Sequence, residues 1–212
     1  VLYATDLSIA FGGLKAVDAI SLSAMPHEIT TVIGPNGAGK TTLFNLISGA
    51  LRPSSGKVFL DGRDVTRFGP AQLQKAGLSR SFQITNLFFA QKVDELIEQF
   101  ELQSKIHEQV GYLSHGEQRR LEIAMCLACE PKVLMLDEPT QGMSHSDTDE
   151  TEELIKSLTA TVSILLIEHD IGIVMSVSDH VIVMHQGQKI ADGTPAEVRA
   201  NPAVQAAYFG HG

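Results

Sequence analysis

Gly34-Pro35-Asn36-Gly37-Ala38-Gly39-Lys40-Thr41 is the stretch from which the rest of the chain is read. A β-branched apolar run, Ile29-Thr30-Thr31-Val32-Ile33, leads into it, and Thr42-Leu43-Phe44-Asn45-Leu46-Ile47 leads out. The spacing fits G-x-x-x-x-G-K-[ST], a strand-to-helix loop whose backbone N–H groups wrap the phosphates of a nucleotide. The glycines let the chain take positive φ and come close to the phosphates. The free N–H groups of the following helix add the positive end of its dipole. Lys40 can reach the β- and γ-phosphates, and the Thr41 hydroxyl can bind Mg²⁺. A Gly-rich turn before an ordinary helix is the plain alternative, but strand and helix both sit where a phosphate loop needs them. The expectation is a nucleoside triphosphate site; its use must be read elsewhere in the chain.

The 212 residues suffice for one ordinary domain, with or without a small subdomain. Hydrophobic residues make up 43% and charged residues 19%, which supports a sizeable core and excludes a disordered tail. A formal net charge of −9 argues against nucleic acid as the main partner. No apolar run approaches the ~20 residues of a membrane span, and no signal peptide is visible. The start at Val1 rather than Met leads us to expect preceding residues. Cys126 and Cys129 form a lone C-x-x-C inside the apolar run Leu121 to Cys129, read as helical. There free cysteines pack as small hydrophobes, whereas a redox pair would need a loop at a helix start; a reducing compartment is expected.

Along the chain, residues 3–10, Ala16–Leu22 and Ile29–Ile33 read as strands, and the helix from Lys40 should stop near Ser48-Gly49. Lys57–Leu60 before Asp61-Gly62 reads as a strand and tight turn, and Gly77 to Phe82 as another strand. From Lys92 to about His107 the apolar spacing is helical. Gly111-Tyr112-Leu113 breaks it, and Ser114 with Glu117 offers a capping box for a new helix. Val133–Leu136 is a continuous apolar run suited to a strand buried on both faces. A helix over Asp147–Leu158, a strand over Thr161–Ile167 and a short helix over Ile171–Val177 follow. A hairpin turning at His185-Gln186-Gly187 comes next, then a helical tail with Pro195 and Pro202 near helix starts. Strands alternating with helices predict an α/β fold with a mainly parallel central sheet. The early strands are expected to form an antiparallel β layer, and the segment between Gln83 and Leu136 a helical lobe.

Asp137 and Glu138 end the Val133–Leu136 strand. Two adjacent carboxylates at the mouth of a buried strand are costly unless matched, by several kcal/mol in real proteins. Mg²⁺ on a nucleotide would match Asp137, and Glu138 could then polarise a water aimed at the γ-phosphate. A capping Asp-Glu before a proline turn is the plain alternative. Leu113-Ser114-His115-Gly116-Glu117-Gln118 offers a second anion site at a helix start, through N–H groups and the Ser114 hydroxyl. Either it is an ordinary cap, or it closes over a nucleotide held by another copy.

With these motifs in hand, the chain resembles the ATP-binding subunit of an ABC transporter over nearly its whole length. The matching elements, in order, are the phosphate loop, Gln83, Leu113–Glu117, the strand ending in Asp137-Glu138, the loop to Asp147, and His169. The signature has His115-Gly116-Glu117 where the commonest family form has Gly-Gly-Gln; Ser114 and Gly116 are intact. The resemblance implies a P-loop cassette spanning residues 1–212, with an antiparallel β subdomain and a helical subdomain at about 84–130. It implies that Phe11 stacks on adenine with Val17 beside it. Asn36, Gly37, Ala38, Gly39, Lys40, Thr41 and Thr42 would hold the phosphates. Gln83 would meet Mg²⁺ and the attacking water, and His169 would bond the γ-phosphate. Ser114, Gly116 and Glu117 would face the nucleotide of a second subunit, which Asp147 would contact.

Closer similarity points to importers of branched-chain amino acids and related compounds such as urea. It is carried by Phe11-Gly12-Gly13-Leu14-Lys15-Ala16-Val17, Arg80-Ser81-Phe82-Gln83, Arg119-Arg120-Leu121-Glu122-Ile123-Ala124 and Asp192-Gly193-Thr194-Pro195. The implied cofactors are ATP and Mg²⁺. The implied partners are a second ATP-binding subunit, identical or paralogous and arranged head to tail, integral membrane permease subunits and, indirectly, an extracytoplasmic solute-binding protein. The implied location is peripheral, on the cytoplasmic face of the membrane. The helical lobe between Gln83 and Leu113 is shorter than that branch usually carries, and residues are expected to be absent at the join Phe88-Phe89-Ala90-Gln91. The alternatives are an exporter subunit, or a soluble ABC-type ATPase acting on ribosomes or DNA. Such soluble ATPases typically carry paired cassettes, basic linkers or a long coiled coil, none of which is visible here. A P-loop kinase or GTPase has no use for Leu113–Glu117 or His169.

Overall fold

The computed structural model describes residues 1–81 and 93–209. Among the described residues, ten strands fall into two sheets. The first sheet is antiparallel: β1 (Leu2–Phe11) lies between β2 (Leu14–Ala24) and β4 (Ser55–Leu60), with the two-residue β5 (Arg63–Asp64) at the far edge. In the second, β3 (Ile29–Ile33) sits between β8 (Ser163–Ile167) and β9 (His180–His185); β7 (Val133–Asp137) and β6 (Leu78–Arg80) extend it past β8. These five run parallel, and only β10 (Gln188–Gly193), hairpinned onto β9, runs against them. The expected α/β architecture with an antiparallel layer is therefore present.

The parallel strands are buried along their length, as continuous apolar runs require, and their side chains alternate between the two faces of the sheet. Val133 and Met135 of β7 join Val32, Leu165 and Ile167 on the face covered by α1 (Lys40–Ile47) and the antiparallel sheet. Leu134 and Leu136 join Ile164 and Leu166 on the opposite face, under α4 (His115–Leu127), α5 (His145–Leu158) and α6 (Ile171–Val177). Thus α1, which begins on the phosphate loop, is wedged between the sheets through the fully buried Leu43 and Phe44. The tail helices α7 (Pro195–Ala200) and α8 (Pro202–Phe209) dock through Val198 and Val204 against Ile33, Val181 and Val183.

Several boundaries differ from the sequence reading. The helix expected over Lys92 to His107 is described only as α3 (Val93–Gln99), followed by a 3₁₀ turn at Gln103–Lys105. The chain breaks at Glu101, at φ 56°, because Phe100 and Leu102 both turn into the core beside Ile123 and Ala124. A continuing helix would send positions two apart to different faces. Helix α2 (Pro70–Ala76) and strand β5 are additions that the sequence reading missed. Cys129 lies beyond the end of α4 rather than within it; Cys126 is buried, and neither is joined in a disulfide among the described residues.

Candidate active site

Because β3, β8, β7 and β6 run parallel in register, their C-terminal ends open on one edge of the sheet: Val32 and Asp137 both pair with Ile167, and Arg80 with Met135. Open α/β sheets bind ligands at this edge. The phosphate loop leaves β3, Asp137 closes β7, and His169 follows β8 by two residues.

Gly39 precedes α1 in a left-handed conformation, φ 99°, and gives the helix no side-chain cap, so its first N–H groups are free for an anion. A Cβ at Gly39 would stand 2.2 Å from the Ala16 carbonyl oxygen, so only glycine fits. Lys40 is 7% exposed and arches back over the loop, donating from Nζ to Gly34 O at 2.7 Å and Pro35 O at 3.3 Å. Burial pulls its ammonium below the usual lysine range, and the carboxylates of Glu138 and Asp137 act in the other direction. Asn36 to Thr42, Glu138 and Phe11 line one cleft. Ala16, Asp18 and the turn residues Gln186 and Gly187 line it too, which the sequence reading did not anticipate. Val17 is fully buried in the inter-sheet core because it pairs with Ile9 on the inward face of its strand; Ala16 presents the wall instead.

Glu138 takes a left-handed backbone, φ 45°, unusual for a side-chain-bearing residue and typical of functional sites. The peptide is held from both sides. Its N–H donates to Ile167 O at 3.0 Å, while Arg119 of α4 donates to Glu138 O at 3.3 Å and Pro139 O at 3.1 Å. His169 Nδ1 lies 3.9 Å from Glu138 Oε1 and 3.9 Å from Glu168 Oε2. Glu168 is fully buried; it accepts from the Thr140 hydroxyl at 2.6 Å and from the His169 N–H at 3.1 Å, fixing the backbone that carries the imidazole. Arg80 bonds Asp137 at 2.9 Å. Arg80, Arg119 and Glu168 were not assigned roles from sequence, since their partners lie far along the chain. Gln83 lies outside the described residues, as does the join Phe88–Gln91.

For a cation carried by a nucleotide, the site offers the Thr41 hydroxyl and the Asp137 carboxylate, hard oxygen donors of the kind Mg²⁺ takes, with phosphates and waters completing the shell. Among the described residues no cluster of three His, Cys, Asp or Glu could hold a metal by itself. The donor set therefore fits Mg²⁺ brought in with a nucleotide.

The second helix start is well formed. Ser114 Oγ accepts from the Glu117 N–H at 3.2 Å and Glu117 Oε2 accepts from the Ser114 N–H at 2.8 Å, closing the expected capping box. Lys105 pairs with Glu117 at 3.3 Å. The Ser114 bond and Lys105 together hold the Glu117 carboxyl below its usual range. Gly116 is buried against Asp147: a Cβ there would be 3.3 Å from Asp147 Oδ1. Ser114 is exposed and does not line the cleft of its own chain.

Residues 17–141 match the profile of the ABC transporter family, and residues 188–212 match that of the branched-chain amino acid ATP-binding cassette transporters. The chain is 36% identical over 249 aligned positions to the high-affinity branched-chain amino acid transport ATP-binding protein BraF of Pseudomonas aeruginosa, covering 99% of this chain and 98% of the relative. Its counterpart LivG of Escherichia coli K12 gives the same identity and coverage. Those alignments exceed the 212 residues of this chain by 37 positions, so at least that many are gaps in it. Among solved structures, a nucleotide-free ATP-binding cassette from an ABC transporter superposes with a TM-score of 0.92 at 28% identity, covering 100% of this chain and 99% of the other. An ADP-bound cassette superposes equally well.

Proposed function

The chain belongs to the ATP-binding cassettes of the ABC transporter family, and from that membership we propose that it hydrolyses ATP to power import of branched-chain amino acids or related compounds. One observation supports the mechanism: of the two helix starts suited to an anion, at Gly39–Thr42 and at Ser114–Glu117, the first lines the cleft of its own chain and the second does not. The second is used when two cassettes face head to tail, each lending Ser114 and Gly116 to the other's nucleotide. The partner cassette is identical or paralogous. Integral membrane permease subunits and an extracytoplasmic solute-binding protein complete the assembly, with the cassette peripheral on the cytoplasmic face. Among the described residues, no helix is long and apolar enough to cross a membrane.

In this reading Phe11, 52% exposed at the cleft rim, stacks on adenine. Lys40 turns from the Gly34 and Pro35 carbonyls to the phosphates, exchanging two neutral acceptors for charged ones. Mg²⁺, when bound, neutralises charge on the phosphates. Thr41 and Asp137 hold it from the protein side, with Gln83. Glu138 orients the attacking water and accepts its proton, held in place by its strained and doubly anchored peptide. His169, steered through Glu168, donates to the γ-phosphate. Loss of the γ-phosphate releases the contacts that span the two copies, and the dimer opens, driving the permease through the helical lobe. The direct test is Glu138→Gln: ATP binding retained with hydrolysis lost supports the reading, and hydrolysis at the wild-type rate removes the assigned base.

A further inference from the structure

Arg80 is 9% exposed at its side chain, sits at the end of β6, and reaches both β7 and α1 with its C-cap. Its Nη2 donates to Asp137 Oδ2 at 2.9 Å. Its Nη1 donates to Asn45 Oδ1 at 2.7 Å on the far half of α1 and to Ser48 Oγ at 3.1 Å just past the helix end, and its guanidinium carbon lies 5.6 Å from the Phe44 ring. Among the described residues, Asp137 is the sole ion-pair partner of this buried cation. The other contacts are neutral and fix where the guanidinium stands. Asp137 is also the carboxylate that the proposed function places at the nucleotide's cation.

We propose that Arg80 is a positioning residue that serves as the internal counter-cation of Asp137: it holds the carboxylate while the nucleotide site is empty and yields part of it to Mg²⁺ when nucleotide is bound. The physical case is a competition. A single carboxylate at the mouth of a buried strand needs a positive partner at all times. The guanidinium supplies one from a framework shared by α1 and β6, so Asp137 stays aimed in both states. A fixed positive charge beside a divalent cation also repels it, so Arg80 must weaken Mg²⁺ binding even as it keeps Asp137 in place. The inference rests on the proposed role of Asp137, and the test separates the two.

The measurement is the Mg²⁺ concentration that half-saturates binding of a fluorescent, non-hydrolysable ATP analogue to the full chain. Wild type, Arg80→Met, Asp137→Asn and the double variant are compared. Arg80→Met should lower the Mg²⁺ midpoint by about three- to tenfold, as removal of one nearby charge implies. In the Asp137→Asn background the same change should lower the midpoint by clearly less, because only the direct repulsion remains once there is no carboxylate to compete for; an equal shift in both backgrounds overturns the counter-cation role. A residue that merely props up the fold would raise the midpoint when removed, so an unchanged or raised value for Arg80→Met overturns the proposal. If Asp137→Asn alone leaves the midpoint at the wild-type value, the assignment of Asp137 to the cation fails first, and the inference with it. Should Arg80→Met not fold, Arg80→Gln, which keeps an amide donor for Asn45 and Ser48 without the charge, is read by the same criteria.

Discussion

His169 Nδ1 stands 3.9 Å from Glu138 Oε1, and the two residues follow the ends of neighbouring parallel strands. The imidazole is half exposed and the carboxylate less so, so both can reach a ligand in the cleft. Glu138→Gln keeps the shape and removes the carboxylate proposed to accept the proton. It should reduce steady-state ATP hydrolysis by about 10²-fold or more while the affinity for ATP stays within a few-fold of wild type. A coupled phosphate-release assay beside equilibrium nucleotide binding reads both quantities.

The phosphate loop allows a sharper steric prediction. At Gly39 a methyl group would meet the Ala16 carbonyl at 2.2 Å and φ is 99°, so Gly39→Ala must shift either β2 or the loop. A strained backbone of this kind costs about 1–3 kcal/mol before the clash is counted. The thermal midpoint should drop and nucleotide affinity should be lost. Gly37→Ala is the comparison: its site is open, with nothing within 4 Å, but φ is 79°, so it should retain a larger share of the stability. Differential scanning fluorimetry with and without ATP distinguishes the two.

The signature helix start should be pH-sensitive. The Ser114 N–H, with Lys105, holds the folded Glu117 carboxyl below its ordinary value. The cap's stabilisation is therefore fully present above the unfolded carboxylate pKa of ~4.3 and disappears as pH falls through the lower folded value. The protection of the Ser114 and Glu117 amides, taken relative to their intrinsic exchange rates, should hold at neutral pH and fall only below that range. Glu117→Gln, which keeps the capping geometry without the charge, should flatten the dependence.

Cys126 and Cys129 should not behave as a redox pair. Burial pushes the Cys126 thiol up to about 12, so at pH 8 almost none of it is thiolate. Cys129 sits past the helix end, accepting from the Gln74 side-chain amide at 3.0 Å. Ellman titration of the native protein should find Cys126 unreactive until denaturant is added. Rapid modification of both thiols at pH 8 in the folded state would contradict the burial argument.

Local pattern made much of this molecule legible. The run Ile29–Ile33, the glycines at 37 and 39 and the helix from Lys40 are adjacent in sequence, so their relation could be read without a structure; β3 and α6 were expected at their observed bounds. The capping box at Ser114 was readable for the same reason, because its two partners are three residues apart. The interactions that aim the site were not readable. Arg80 meets Asp137 across 57 residues, Arg119 reaches Glu138 across 19, and Thr140 reaches Glu168 across 28. In the sequence these are ordinary charges and hydroxyls, and only the parallel register of β6, β7 and β8, with α4 packed on β7, brings them together. Tyr208 was equally silent. It lies in the tail helix, yet burial pushes its hydroxyl up to about 12 while the Gly34 backbone pulls the other way, so the tail reaches the start of the phosphate loop. Helix α3 ends early for a related reason, since Phe100 and Leu102 leave the helical period to fill a core that periodicity could not reveal.

The most direct test of the central claim is sedimentation equilibrium of the Glu138→Gln chain with ATP–Mg²⁺, with ADP–Mg²⁺ and without nucleotide, alongside a Glu138→Gln variant that also carries Ser114→Arg. A dimer is expected with ATP alone, and a monomer that still binds ATP once Ser114 is changed. If Glu138→Gln stays monomeric at saturating ATP, or if Ser114→Arg leaves the ATP-dependent dimer intact, the composite site assigned to Gly39–Thr42 and the partner's Ser114 is contradicted.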